Sequence, residues 1–188
     1  MNSPSRMIVR AALAMIVAVA LSLCLAWPAA AQDQPAPPAP PAPPKSISVQ
    51  AHVIMASKAQ MPHVEDSLKE VAELLQKRFK DMFNRFRLHK TASGETKLKE
   101  SQTLALVDKY HLKVAYNASV EDPEKKEQKY QVTYTLMRRV QVTEGEKTVT
   151  KDEEIQPVQY TVAPGVFVLM AGPTVGEETL ILAIRVAK

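Results

Sequence analysis

Between Ser46 and Lys188, apolar and polar residues alternate again and again, and a side-chain period of two is the signature of strands with one face buried. The plainest case runs Tyr130, Val132, Tyr134, Leu136 and Val140 against Gln131, Thr133, Thr135 and Arg139. Ile47, Val49, Ala51, Val53 and Met55 alternate with Ser48, Gln50 and His52, and Leu112, Val114, Tyr116, Ala118 and Val120 repeat the pattern. Further strands are predicted near Phe86–Leu88, Thr103–Val107, Thr148–Thr150, Val158–Val162 and Val166–Met170. The last segment carries Leu180, Leu182, Ile184 and Val186 on one side and Ile181 and Ala183 on the other, so both of its faces are covered.

One stretch breaks the rule. Val64, Leu68, Val71, Leu75, Phe79, Met82 and Phe86 recur at a spacing of three or four, which predicts a helix over about 63–81 with one apolar stripe facing a sheet. Glu65 with Lys69 and Glu73 with Lys77 stand four apart, acid first, on its other side. Gly94, Glu144-Gly145, Pro164-Gly165 and Gly172-Pro173 punctuate the strands as turns or breakers, and 121–128 reads as a hairpin loop. The expected class is therefore α+β, a mostly antiparallel sheet or sandwich with one amphipathic helix near the start of the domain.

Two segments precede that domain. Residues 1–31 have the three parts of a secretory signal: Arg6 and Arg10, an apolar run from Ala11 to Ala26, and the small residues Ala29, Ala30 and Ala31 before an expected cleavage ahead of Gln32. The apolar run is short for a membrane span, which needs about 20 residues. Residues 32–45 are rich in proline and alanine and predict an extended polyproline-type linker. The single domain then spans 46–188. Cys24 leaves with the signal, so no disulfide braces the domain and a core must hold it.

Charge and motifs narrow the function classes. Arg6 and Arg10 account for two of the 24 lysines and arginines, and the rest nearly balance 20 acids. That balance, with export, argues against a nucleic-acid partner. His52, His63, His89 and His111 lie too far apart in sequence for a metal motif, and a site built from His52, His63, Glu65 and Asp66 would have to assemble in space. No serine sits in a nucleophile elbow, Gly172–Gly176 lacks the lysine of a phosphate loop, and the runs Glu121-Asp122-Glu124 and Asp152-Glu153-Glu154 read as solvated faces. Asn117-Ala118-Ser119 matches a glycosylation acceptor but falls inside a strand pattern. No cofactor or metal is expected. One region is polarised: Lys77, Arg78, Lys80, Arg85, Arg87 and Lys90 crowd a stretch that includes Lys97 and Lys99 and only Asp81 and Glu95 as acids. Those six residues are the candidate contact for an anionic surface, with Arg85, Arg87 and His89 on one strand face.

The leader, the linker, the strand Val49–Met55, the helix, Phe86-Arg87-Leu88 and the closing Val168–Pro173 with Leu180–Ile184 resemble small exported proteins of planctomycete-type bacteria. That resemblance implies a bacterial envelope and no assigned activity. The expected function is an exported, non-enzymatic envelope domain, periplasmic or extracellular, binding an envelope protein or an anionic polysaccharide or lipid. The alternatives are a hydrolase or carbohydrate-active enzyme whose site forms only in the fold, and a structural subunit whose strand edges pair.

Overall fold

The computed structural model describes residues 44–145 and 147–187. The expected export signal, and the linker apart from Pro44 and Lys45, lie outside the described residues. Nine strands follow: β1 (Ser46–Ser57), β2 (His63–Val64), β3 (Arg85–Lys97), β4 (Ser101–Ala105), β5 (Tyr110–Glu121), β6 (Gln128–Glu144), β7 (Lys147–Val162), β8 (Phe167–Val175) and β9 (Glu178–Val186). Between β2 and β3 come a single 3-10 turn at Asp66–Leu68 and the helix α1 (Ala72–Phe79).

The strands form two sheets, one ordered β2-β3-β1-β9-β8 and one ordered β4-β5-β6-β7. Only β2 with β3 is parallel; the other named pairs are antiparallel. The architecture is α+β, as the sequence pattern predicts.

Period-two patterning places the layers. Val49, Ala51, Val53 and Met55 of β1 and Leu180, Leu182, Ile184 and Val186 of β9 meet Leu112, Val114, Val132, Tyr134 and Leu136 of the smaller sheet in one sandwich core. The opposite face of β1 and β9, carrying Ile54, Ala56, Ile181 and Ala183, lies beneath Leu68, Val71, Leu75 and Phe79. β9 is thus covered on both faces, as its doubly apolar sequence requires. Burying each valine, leucine, isoleucine, phenylalanine or methionine among them is worth about 1.5–3 kcal/mol, and this burial takes the place of a disulfide.

The helix is shorter than the periodicity predicts. Its expected first turn is pulled into β2, because His63 N–H donates to Asn84 O at 2.8 Å and Glu65 N–H to Phe86 O at 3.1 Å. Glu65 then receives Leu88 N–H at 3.0 Å and the Ser67 hydroxyl at 2.6 Å. Lys69 pairs with Asp66 at 3.5 Å instead of Glu65.

Gly94 does not turn the chain. It sits inside β3 opposite Val49, where a Cβ would lie 2.6 Å from Gln102 Nε2, so the glycine serves a close approach between strands. The two short strands expected around Thr148 and Val158 are one strand, β7, which carries Pro157 and a bulge between the pairs Leu136–Gln156 and Met137–Glu154. Proline is tolerated there because β7 is an edge. The β8–β9 turn falls at Gly176, with φ 64°, beyond Gly172-Pro173, which β8 absorbs in a bulge.

Candidate functional site

Eight helical residues span about 12 Å, whereas five strands spread over roughly 20 Å, so α1 covers only part of its sheet face. Three depressions ring its margin.

The first runs along β8. Leu74, Lys77 and Arg78 of α1 face Val166, Phe167 and Val168 across a groove of about 610 Å³ whose floor includes Leu169 and whose far end reaches Tyr160. Leu74 is 41% exposed and Val166 53%, while Phe167, Val168 and Tyr160 are half-buried. β8 is the last strand of its sheet, so among the described residues no strand lies beside the outer edge of Phe167–Ala171. Among the described residues neither Lys77 nor Arg78 has a carboxylate partner. Arg78 lies over the Phe79 ring, 5.9 Å from its centre.

The second lies on the β2 side, about 540 Å³, lined by Pro62, His63, Gln76, Lys80, Phe83 and Asn84. Asn84 fixes its rim, since its side-chain amide donates to Ala59 O and its side-chain oxygen accepts from Ala59 N–H, both at 2.7 Å. The third, about 310 Å³, opens before α1 and is lined by His52, Asp66, Ser67, Lys69, Glu70 and Arg185. Arg185 is held there by Gln50 Oε1 and Glu70 Oε2, each at 2.8 Å, and by the Phe167 ring. His52 stacks 5.6 Å from that ring and shares a 3.0 Å hydrogen bond with the Thr91 hydroxyl. Burial, and then the Arg185 charge, hold His52 below its ordinary histidine value.

The six cations singled out from the sequence fall in different places. Lys77 and Arg78 line the β8 groove, and Lys80 lines the β2 depression. Arg85, Arg87 and Lys90 sit on β3 opposite Ser57, Met55 and Val53. An irregularity in the β1–β3 register leaves His89 without a partner on β1, so Lys90 takes the place expected for His89 beside Arg85 and Arg87. Arg87 is bonded to Glu178 at 2.8 Å.

The other candidates also have places. His52 and His63 line different depressions and do not meet. His111 Nδ1 is 3.2 Å from Lys109 O. The acid runs are engaged: Asp122 with Lys129 at 2.6 Å, Asp152 with Arg139 at 3.0 Å and Glu153 with Arg138 at 2.6 Å. Asn117 donates to the Thr133 hydroxyl at 2.8 Å. Among the described residues no group of three or more His, Cys, Asp or Glu is placed to hold a metal ion, and no helix is long and apolar enough to cross a membrane.

Sequence reasoning passes over Leu74, Val166, Glu70 and Arg185. A signal for the first was present: Leu74 adjoins Leu75 but stands outside the three-or-four spacing of Leu68, Val71, Leu75 and Phe79. Comparison with known proteins gives no match, whether with a family model, a curated protein or a solved structure.

Proposed function

We propose that this chain is an exported cell-envelope binding domain that docks an acidic, extended polypeptide segment in the groove between α1 and β8. One observation carries the reading: an open strand edge, two exposed apolar side chains and two cations without a carboxylate partner among the described residues stand side by side, in β8, Leu74 with Val166, and Lys77 with Arg78. An edge strand offers a row of N–H and C=O groups that another polypeptide satisfies along its length. The groove takes every second side chain of such a segment, and the two cations favour carboxylates among the others. A lipid or polysaccharide surface would meet the cations and leave the strand edge idle, which is why a polypeptide is the preferred ligand. Lys80, Arg85, Arg87 and Lys90 take no part in this contact. Export is supported by the charged, apolar and small-residue order of residues 1–31.

Titration with short synthetic peptides tests the ligand class. A peptide of alternating valine and glutamate binds, weakens with added salt, and loses about tenfold or more in affinity when Lys77 and Arg78 are both changed to glutamate. Equal binding of a valine–lysine peptide, or binding only to phosphatidylglycerol vesicles, overturns the reading. Fractionation of cells making the full chain tests its place: unprocessed protein in the soluble interior contradicts export.

A further inference from the structure

The β6–β7 hairpin outgrows the rest of its sheet. β5 pairs with β6 only as far as Tyr110–Arg138, whereas β6 and β7 stay paired out to Glu144–Lys147, so a two-stranded ribbon projects past the body. Such a ribbon is marginal in water by itself. Exposed ion pairs join its strands, Arg138 to Glu153, Arg139 to Asp152 and Lys151 to Glu144, each worth at most about 1 kcal/mol. Its β7 edge is long and open, and nearly every residue along it is exposed.

Natural edges are commonly blunted by proline, bulges, shortness or charged side chains, and Lys147–Glu154 carries the last of these in Lys147, Lys151, Asp152, Glu153 and Glu154. β4 has 5 residues and β2 has 2. β8 carries a bulge and Pro173 only after Ala171, which leaves the five residues of its groove-side edge open, and β7 likewise carries a bulge near Ile155 followed by Pro157. Lys147–Glu154 lies on the turn side of those two devices and contains neither a proline nor a bulge.

We infer that this segment pairs antiparallel with the same segment of a second copy of the chain, across a two-fold axis at Thr150. Residues directly opposite one another in a sheet share a face, which restricts the registers available. Centred on Thr150, Lys147 faces Glu153 of the other copy, Thr148 faces Asp152, and Val149 faces Lys151, each twice. Centred on Lys151, Asp152, Glu153 or Glu154, a charged residue meets its own copy; centred on Val149, Lys147 meets Lys151. Of the registers that pair more than three residues within Lys147–Glu153, the Thr150 register is therefore the one that opposes no two like charges, and Glu154 meets Glu146 only beyond that stretch. Both bonds from Arg138 go to Glu153 Oε2, so Oε1 is left to receive Lys147 of the second copy. The open edge of β6 beyond Arg139 offers no opposite-charge pair: centred on Gln141 it sets Arg139 against Thr143, and centred on Val142 it sets Glu144 against Val140. The result is a continuous sheet of both smaller sheets, with the two bodies at opposite ends and the β8 grooves uncovered.

Light scattering on the eluting protein, recovered from cells expressing the full chain, reads the mass from about 1 µM to about 1 mM, the span in which a weak specific pair dissociates. The expected result is a shift from one chain to two as concentration rises. Lys147→Glu and Glu153→Lys each raise the dissociation constant about tenfold or more, and an equimolar mixture of the two variants recovers the dimer, since each then offers its partner the opposite charge. Mass recovery in the mixture also shows that neither variant has lost its ribbon. A single-chain mass throughout, a dimer indifferent to both changes, or a mixture that stays monomeric overturns the inference.

Discussion

The Arg185 guanidinium lies 4.8 Å from the centre of the Phe167 ring, and these two residues are also directly paired between β9 and β8. The stack joins the third depression to the first, because Phe167 lines the groove on its other side. Lysine lacks the flat, delocalised face that arginine lays on a ring and the fork that reaches two acceptors. Arg185→Lys therefore loses the stack and one of the bonds to Gln50 and Glu70, and destabilises the domain by about 1–2 kcal/mol. Urea unfolding measures it; an unchanged midpoint would show that the arrangement is ornamental to stability.

Tyr134 is buried between the sheets, and its hydroxyl has no hydrogen-bond partner among the described residues. Burial pushes its ionisation far above the ordinary tyrosine value, with Tyr160 adding to the effect. Removing a buried hydroxyl that bonds to nothing relieves a desolvation penalty. Tyr134→Phe is expected to leave stability unchanged or to raise it by up to about 1 kcal/mol, and a clear loss on thermal unfolding would mean that the hydroxyl has a partner.

Gly94 and Gln102 share one small space, since a Cβ on the glycine would come within 2.6–2.8 Å of the glutamine side-chain end. Because the crowded atoms are the end of a flexible side chain that can swing aside, Gly94→Ala should cost under about 1 kcal/mol, and Gln102→Ala should remove that cost in the double variant. Additive losses in the double-mutant cycle would rule out the shared space.

Asp122 organises the β5–β6 turn. Its carboxylate receives Lys129 and the N–H groups of Glu124 and Lys125, which hold it down at about 2 from an ordinary 3.8. A lowered carboxylate stabilises the fold fully above its unfolded value and loses that contribution as pH falls through its folded one. The turn is therefore intact above about pH 4 and loosens toward pH 2. NMR titration of the Asp122 carboxyl, with Asp122→Asn as the control, tests this, and titration at the ordinary aspartate value would refute it.

The strands were legible because each keeps one face in a core. Tyr130, Val132, Tyr134 and Leu136 alternate so cleanly that face and partner layer both follow. The class, α+β with a single helix over a mostly antiparallel sheet, needed nothing more. Boundaries failed where a tertiary contact overrode local pattern: β2 captured His63 and Val64 from the helix, and Gly94 met Gln102 instead of turning.

The groove was half legible. Lys77 and Arg78 stood out by charge, but the exposure of Leu74 and Val166 depends on how little of the sheet an eight-residue helix covers. Nor could sequence show that β8 ends its sheet, since strand order arises from pairings far apart in the chain. Arg185 lies 115 residues from Glu70 and 135 from Gln50, distances at which no local period gives warning.

Amide hydrogen exchange along β8 tests the docking claim most directly. If an acidic extended peptide adds to the open edge, alternate backbone amides within Phe167–Ala171 slow by about tenfold or more in its presence, and they do not slow in the variant carrying glutamate at 77 and 78. A peptide that binds while those amides exchange at their free rate, or that protects the Lys80 and Phe83 side of α1 instead, contradicts the account.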